Sequence, residues 1–182
     1  MLSTFNPDKV LPHIAMLTMM DYQKEESEDF PFDIHLGTWD DVLDASNWPD
    51  VRHKKNGYGK MRWKNIFKRQ KFKSKRFICS IRCKTSKKAL ALFAGRMSPN
   101  DVDGKRVSID YIERSHNAQM LKGHAIALAI KFAYLLCKAL TFDFVRVSNP
   151  APGLIDVYRD EMPNSKYITG KKQSYIIAPR SL

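Results

Sequence analysis

The sequence predicts an α/β fold of the α+β type, a mixed and mostly antiparallel central sheet flanked by helices. Three observations predict it. From Arg76 onward, apolar runs of strand length alternate with turn clusters. One long apolar run, Gly123 to Leu140, has no proline and no glycine after its first residue, and its apolar side chains recur at helical spacing. Read in order, three antiparallel strands, that helix, a strand, a second helix and a closing strand pair make a mixed sheet.

The elements follow from local chemistry. In the first third, Pro7 and Pro12 limit any early helix, although Val10 to Met20 is apolar enough to pack. Thr38 followed by Asp41 at the third position is a capping box, so a helix starts there and ends before Pro49; Asp40 and Asp41 suit the positive end of its dipole. Met61 to Phe67 forms another short helix. Phe77 to Cys83 reads as a strand, Thr85 to Lys88 as a turn, Ala89 to Met97 as a second strand ended by Ser98-Pro99-Asn100, and Arg106 to Glu113 as a third. The long helix turns Ile126, Ala129, Ile130, Ala133, Leu136, Cys137 and Leu140 to one face. Phe142 to Val147 is a strand, and Pro152 starts a short helix over 153–161. Tyr167-Ile168-Thr169 and Gln173 to Ala178 close the chain as a hairpin.

With 182 residues and 43% hydrophobic composition, the chain is a globular single domain: a helical and basic N-terminal part (1–75) and a strand-rich core (76–178). Nothing resembles a transmembrane span or a signal peptide, so the expectation is a cytoplasmic protein with no membrane partner. Cys79, Cys83 and Cys137 lack the second half of a zinc site and read as buried free thiols, and the histidines have no metal-ligand spacing; no metal is assigned. The net charge of +12 points instead to a polyanionic or phosphorylated partner. It concentrates in Arg52 to Arg76, a basic segment interleaved with Tyr58, Trp63, Phe67 and Phe72, whereas Asp21 to Asp50 is acidic; its stretch around Glu25 to Asp44 could attract a cationic acceptor but reads rather as an exposed acidic loop. Lys64, Lys68, Arg69, Lys71 and Lys73 would track nucleic-acid phosphates while the rings stack on bases; equally, the run is a solvated face or flexible loop, and the alternation also fits an amphipathic element whose rings are core.

The stretch Met120-Leu121-Lys122-Gly123-His124-Ala125 joins a strand to the long helix. A strand that ends in a short polar turn and opens onto a helix presents unpaired backbone N–H groups at the positive end of a dipole, a site for phosphate or pyrophosphate. Lys122 adds a charge, Gly123 removes a Cβ from the approach, and the His124 side chain is expected to point out of the first turn.

This order of elements, with these residues, resembles the GNAT superfamily of acetyl-CoA-dependent N-acetyltransferases over about residues 76–178. The family's signature is Gln or Arg, two residues, Gly, one residue, then Gly or Ala; Gly123 and Ala125 fill the last two positions, and Met120 stands at the first, with Gln119 one place early. The resemblance implies acetyl-CoA as cofactor, its pyrophosphate held by Leu121, Lys122, Gly123, His124 and Ala125. A parting of the strands on either side of the long helix would expose the backbone of Tyr111, Ile112 and Arg114 to the pantetheine. Val145 to Tyr158 is a second match: Asn149 would bond the pantetheine arm, and Tyr158 would be the general acid at the leaving sulfur. A base is needed for the amine, for which Glu113, then Asp110, then His116 are the candidates. Asp110 and Glu113 fall on opposite faces of an ideal strand unless a bulge intervenes.

Taken alone, Tyr158 reads equally as a core tyrosine and Glu113 as a paired strand-end carboxylate. The implied activity is transfer of acetyl to an amine of a protein, a small molecule or an aminoacyl-tRNA. The rival is a GNAT-like scaffold that has lost catalysis and binds nucleic acid or a host protein through its basic face.

Overall fold

The computed structural model describes residues 6–51, 59–71, 73–102 and 104–180. Its first element is a helix the two prolines do not prevent, α1 (Pro7–Glu26). Pro7 sits at its first turn, where no N–H is needed, and the Asn6 side chain caps the Asp8 amide at 3.0 Å. Pro12 costs one bond near the exposed start of the helix. Burial of Leu11, Ile14, Ala15, Thr18, Met19 and Tyr22 along one face outweighs that loss. The acidic stretch is likewise ordered rather than a loop. It contains the end of α1, a strand β1 (Phe32–Leu36) and α2 (Trp39–Ser46). β1 escapes the sequence pattern because its polar residues Asp33 and His35 interrupt only three apolar ones. The α2 capping box forms as expected, with Thr38 and Asp41 bonded reciprocally.

The remaining elements are α3 (Trp63–Gln70), β2 (Arg76–Cys83), β3 (Ala89–Ser98), β4 (Arg106–Arg114), α4 (His124–Ala139), β5 (Phe144–Ser148), α5 (Ile155–Asp160), β6 (Lys166–Thr169) and β7 (Ser174–Pro179). A single turn of 3-10 helix, Pro152–Leu154, leads into α5 and takes the place of the first turn expected there. The strands form one seven-stranded sheet in the order β1-β2-β3-β4-β5-β7-β6. All neighbours are antiparallel except β4 and β5.

Two apolar clusters sandwich this sheet. On one face, α1, α4 and α5 pack over Phe77, Phe93, Val107, Ile109, Val145 and Ile176, with Phe132 and Leu136 of α4 fully buried at the centre. On the other face, α2 and α3 cover only the β2–β3 half, through Val42, Ala45, Trp63, Ile66 and Phe67 against Ile78, Leu92 and Ala94. Asp41 anchors that second layer. Both of its carboxylate oxygens take 2.7 Å hydrogen bonds from Arg82, and Ser80 adds a third donor. Burial alone would raise the Asp41 carboxyl, but these bonds and those from Thr38 overcome it and hold the pKa below the ordinary value. No helix among the described residues is long and apolar enough to cross a membrane.

Candidate active site

β4 and β5 pair only from Arg106/Phe144 to Ile109/Val147, yet β4 runs on to Arg114 while β5 ends at Ser148. The two parallel strands therefore part, and the edge of Asp110 to Arg114 that faces β5 has no ladder partner among the described residues. β3 holds the other edge of this segment through Tyr111 to Arg114. Unpaired peptide groups at a strand split suit an extended ligand with amides of its own.

A bulge marks where the split begins. Ala94 faces Tyr111 but Gly95 faces Ile109, so Asp110 is the extra residue. Gly95 is required here: a Cβ would lie 1.9 Å from the Ser108 carbonyl oxygen. The bulge shifts the alternation of β4, so that Asp110, Tyr111 and Glu113 all lie on the face opposite α4, the condition under which both carboxylates can serve one pocket. They are held differently. Asp110 accepts from the Ser148 hydroxyl at 2.7 Å and pairs with Arg96 at 3.3 Å. Glu113 accepts from the Trp63 indole at 2.6 Å and the Met61 amide at 3.0 Å, and so ties the start of α3 to the sheet. His116 is exposed in the turn after β4.

Beyond Arg114, the chain enters the loop leading to α4. Arg114 donates to the carbonyls of Ser115 and Ala118 and so fixes that loop. Gly123 caps α4 at φ 86, where a side chain is strained, and nothing lies within 4 Å of the position its Cβ would take. The first-turn amides of α4 have no carbonyl of their own helix to bond, and Lys122 is exposed beside them. These groups can receive a phosphate. The His124 side chain corrects its expectation. It turns inward, shares a 2.8 Å hydrogen bond with the Tyr22 hydroxyl and packs against Phe30 and Phe32, because α1 and β1 cover that turn. Met120 is 48% exposed, so its thioether is not a core residue of the loop.

Past β5, Asn149 takes a left-handed conformation at φ 47. Its amide donates to the Ser174 carbonyl, and its side-chain oxygen accepts from the Ser174 amide at 3.2 Å. The carboxamide oxygen is thus engaged on the β7 side of β5, with the Nδ2 group left for other work. Tyr158, on α5, is only 3% exposed and sits against the cluster beneath α4. Burial pushes its phenol well above the usual value, which keeps it protonated at neutral pH. Its hydroxyl has no hydrogen-bond partner among the described residues.

The basic segment divides. Lys64, Lys68, Arg69, Lys71 and Lys73 are exposed, as a phosphate-tracking face requires. Trp63 and Phe67 are not available for stacking: they are 3% and 6% exposed and form the buried side of α3. The amphipathic reading holds for them, while Tyr58 and Phe72 lie outside the described residues. Among the described residues no group of His, Cys, Asp and Glu could hold a metal ion, and the three cysteines are free thiols, with Cys83 only partly buried. Two open clefts of about 450 and 400 Å³ run along α1 and share no residue with the split. The split is the better candidate because its unpaired backbone, not its volume, would bind.

The strand order, the bulge in β4 and the split from β5 decide the fold. The chain has the GNAT fold. No protein-family model matches the sequence, and no curated protein does. Solved structures do. An acetyltransferase of the GNAT family from Staphylococcus aureus matches with a TM-score of 0.58 at 9% identity, over 82% of this chain and 99% of that one. A mutant of SpeG, the spermidine N-acetyltransferase of Vibrio cholerae, matches with 0.56 at 11%, over 83% and 95%. AtaTR bound with acetyl-CoA matches with 0.53 at 12%, over 82% and 94%. Within the GNAT fold, α2 and α3 stand on the face opposite the long helix, and α1 is packed across that helix and β1.

The sequence reading missed a group on this same face. Arg96, Ser108 and Arg146 are side by side across β3, β4 and β5, with Arg106 one row below and Asp110, Ser148 and Tyr175 one row above. A signal was present, since Arg106 and Arg146 each alternate with core residues in apolar strands. A lone arginine in a strand reads as solvent-facing, and only the sheet order shows that three of them meet.

Proposed function

We propose that this protein is an acetyl-CoA-dependent N-acetyltransferase that transfers acetyl directly to an amine, with no covalent enzyme intermediate. One observation carries the proposal: the split of β4 from β5 runs past a bulge toward the open amide cradle at the start of α4. An acetyl-CoA-bound structure among the similar folds supports the choice of cofactor.

The residues present fit such a ligand. Of the expected stretch Leu121 to Ala125, the amides of Leu121 and Lys122 are already given to the Ala118 and Gln119 carbonyls, so the amides of Gly123, His124 and Ala125 would hold the pyrophosphate, with the Lys122 side chain as counter-charge and Gly123 as the open approach. The free edge of Tyr111, Ile112 and Arg114 would bond the pantetheine amides, with the Asn149 Nδ2 group as a further donor. Acetyl-CoA supplies a thioester: the amine nitrogen bonds to its carbonyl carbon as the carbon–sulfur bond breaks, and coenzyme A leaves as a thiolate. Tyr158 gives that sulfur its proton, a role the raised phenol pKa protects by keeping the acid form filled. The nitrogen's surplus proton goes to Glu113, directly or through water, or to Asp110 if the acceptor lies nearer the bulge. Both carboxylates stand on the face from which an acceptor can approach. Burial of Trp63 and Phe67 weakens the rival reading of a nucleic-acid binder built on stacking, although the exposed lysines remain a charged surface for an anionic partner.

Release of coenzyme A thiol from acetyl-CoA, followed across a panel of amines, tests the proposal. Amine-dependent release above the rate without protein is the expected result. Absence of release with every amine, together with no measurable binding of acetyl-CoA, would return the protein to the class of non-catalytic binders.

A further inference from the structure

Among the described residues, seven buried side-chain polar atoms have no hydrogen-bond partner, and five of them lie in one patch: Arg106 Nε, Ser108 Oγ, Arg146 Nε and Arg146 Nη2, together with Arg96 Nε, which is in ion-pair contact with Asp110 at 3.3 Å. Such atoms are rare in folded proteins, because each costs the solvation it gave up. Their concentration on three neighbouring strands is not scattered misfit. These polar groups share one face of three neighbouring strands.

Charge tells the same story. Arg146 is 3% exposed and Arg106 7%, with Ser108 fully buried between Arg96 and Arg146. Arg146 lies 4.0 Å over the Tyr175 ring, a contact that partly offsets its burial but satisfies none of its N–H groups. The patch has acids, but they are committed. Asp101 pairs with Arg106 Nη2 at 2.5 Å, and Asp110 is shared between Ser148 and Arg96. Among the described residues, three guanidinium groups thus meet two carboxylates. Arg69 of α3 adds a fourth cation over Tyr111, one strand position from the bulge. Burial, then the neighbouring Arg106 and Arg96, press the Arg146 guanidinium toward a lower pKa, as expected where positive charge is in excess. Arginine keeps its proton in proteins, so the excess calls for an anion.

We propose that Arg96, Arg106 and Arg146, with the Ser108 hydroxyl, form an oxyanion site that holds a phosphate or carboxylate carried by the acyl acceptor. The assignment to an acceptor rests on the transferase reading above; the anion site itself does not. Arg96, whose side chain is 40% exposed, opens the patch to solvent. Same-face residues along a strand are about 7 Å apart. The anion site therefore lies roughly that distance from Asp110 and the start of the split, so the acceptor's amine and its anion are separated by only a few bonds. Phosphate and carboxylate share the planar or tetrahedral oxygen geometry that guanidinium forks bind in pairs.

The first measurement needs no acetyl-CoA. The full chain is titrated with inorganic phosphate and, separately, with acetate, against sodium chloride at matched ionic strength, and melting temperature is followed. Saturable stabilisation by one of the anions in the millimolar range, at least tenfold reduced in apparent affinity in Arg96→Gln, is expected. Arg96→Gln is chosen because it is half-exposed and should fold even if Arg146→Gln does not. Equal effects of chloride and both oxyanions, or an undiminished response in Arg96→Gln, would overturn the site. The second measurement is thiol release from acetyl-CoA with an aminoalkyl phosphate, an amino acid of equal length and the uncharged amino alcohol. A charged amine turned over at least tenfold better than the alcohol, with the advantage lost in Arg96→Gln, is expected. Equal turnover of all three would overturn the acceptor assignment. Anion binding without turnover of any amine would leave the site standing and refute the transferase reading.

Discussion

Replacing Tyr158 by phenylalanine removes one oxygen and leaves the ring that packs beneath α4. The hydroxyl makes no hydrogen bond among the described residues, so its loss orphans no partner, and the melting temperature should be unchanged or higher. Chemistry should suffer instead. A positioned general acid contributes roughly 10²- to 10⁴-fold to rate, equivalent to about 2.7–5.5 kcal/mol of barrier. That is the expected loss in kcat, with the acetyl-CoA dissociation constant within about twofold of wild type, because the oxygen meets the sulfur only as the bond breaks. The assay is thiol release at saturating acetyl-CoA with an amine the wild-type protein turns over, beside calorimetric binding of acetyl-CoA. The pH profile adds a check: burial raises the phenol pKa, so wild-type kcat should show no falling alkaline limb near the ordinary tyrosine value of 10.0. A kcat for Tyr158→Phe within twofold of wild type, with stability intact, would refute the assignment of Tyr158 as acid.

Three further outcomes follow from the same geometry. Lys122→Glu reverses an exposed charge at the amide cradle and should weaken acetyl-CoA binding about tenfold, near 1.4 kcal/mol, by calorimetry, with melting of the free protein little changed. Gly95→Ala places a Cβ against the Ser108 carbonyl and 2.7 Å from the Phe77 ring; backbone cannot yield cheaply there, so urea unfolding should show a loss of about 1–3 kcal/mol or more. For Asp41, the folded-state pKa lies below the ordinary 3.8, so its stabilisation is present above that value and is lost as pH falls through the lower folded one. Wild-type stability should therefore drop on acidification from pH 5 to pH 3, and Asp41→Asn should be less stable at neutral pH with a shallower acid slope.

Much of the core was legible because its signals are local. Thr38 and Asp41 announce a helix by capping chemistry, and Gly123 to Leu140 announces one by apolar period and the absence of breakers. The strands from Arg76 to Glu113 are bounded by turn residues. α1 was hidden by Pro12, whose local cost is outweighed by a buried face visible only once α4 is beside it. The site was legible as positions along β4, the loop and α5, but not as directions. Whether Asp110 and Glu113 share a face depends on a bulge set by Gly95 on another strand. The inward turn of His124 depends on Tyr22, 102 residues away, and the commitment of the Asn149 oxygen depends on the pairing of β5 with β7. The arginine patch is a property of sheet order, which no single strand contains.

The central claim is that the β4/β5 split and the α4 cradle bind acetyl-CoA, and melting temperature with the cofactor in excess tests it most directly. At about 100 times the dissociation constant, ligand adds roughly 2.7 kcal/mol, and a chain of this size gains about 2–4 °C per kcal/mol. A rise of roughly 5–10 °C in wild type, reduced to about half in Lys122→Glu by its tenfold weaker binding, is the predicted result. No rise at millimolar acetyl-CoA, or an equal rise in Lys122→Glu, would contradict it.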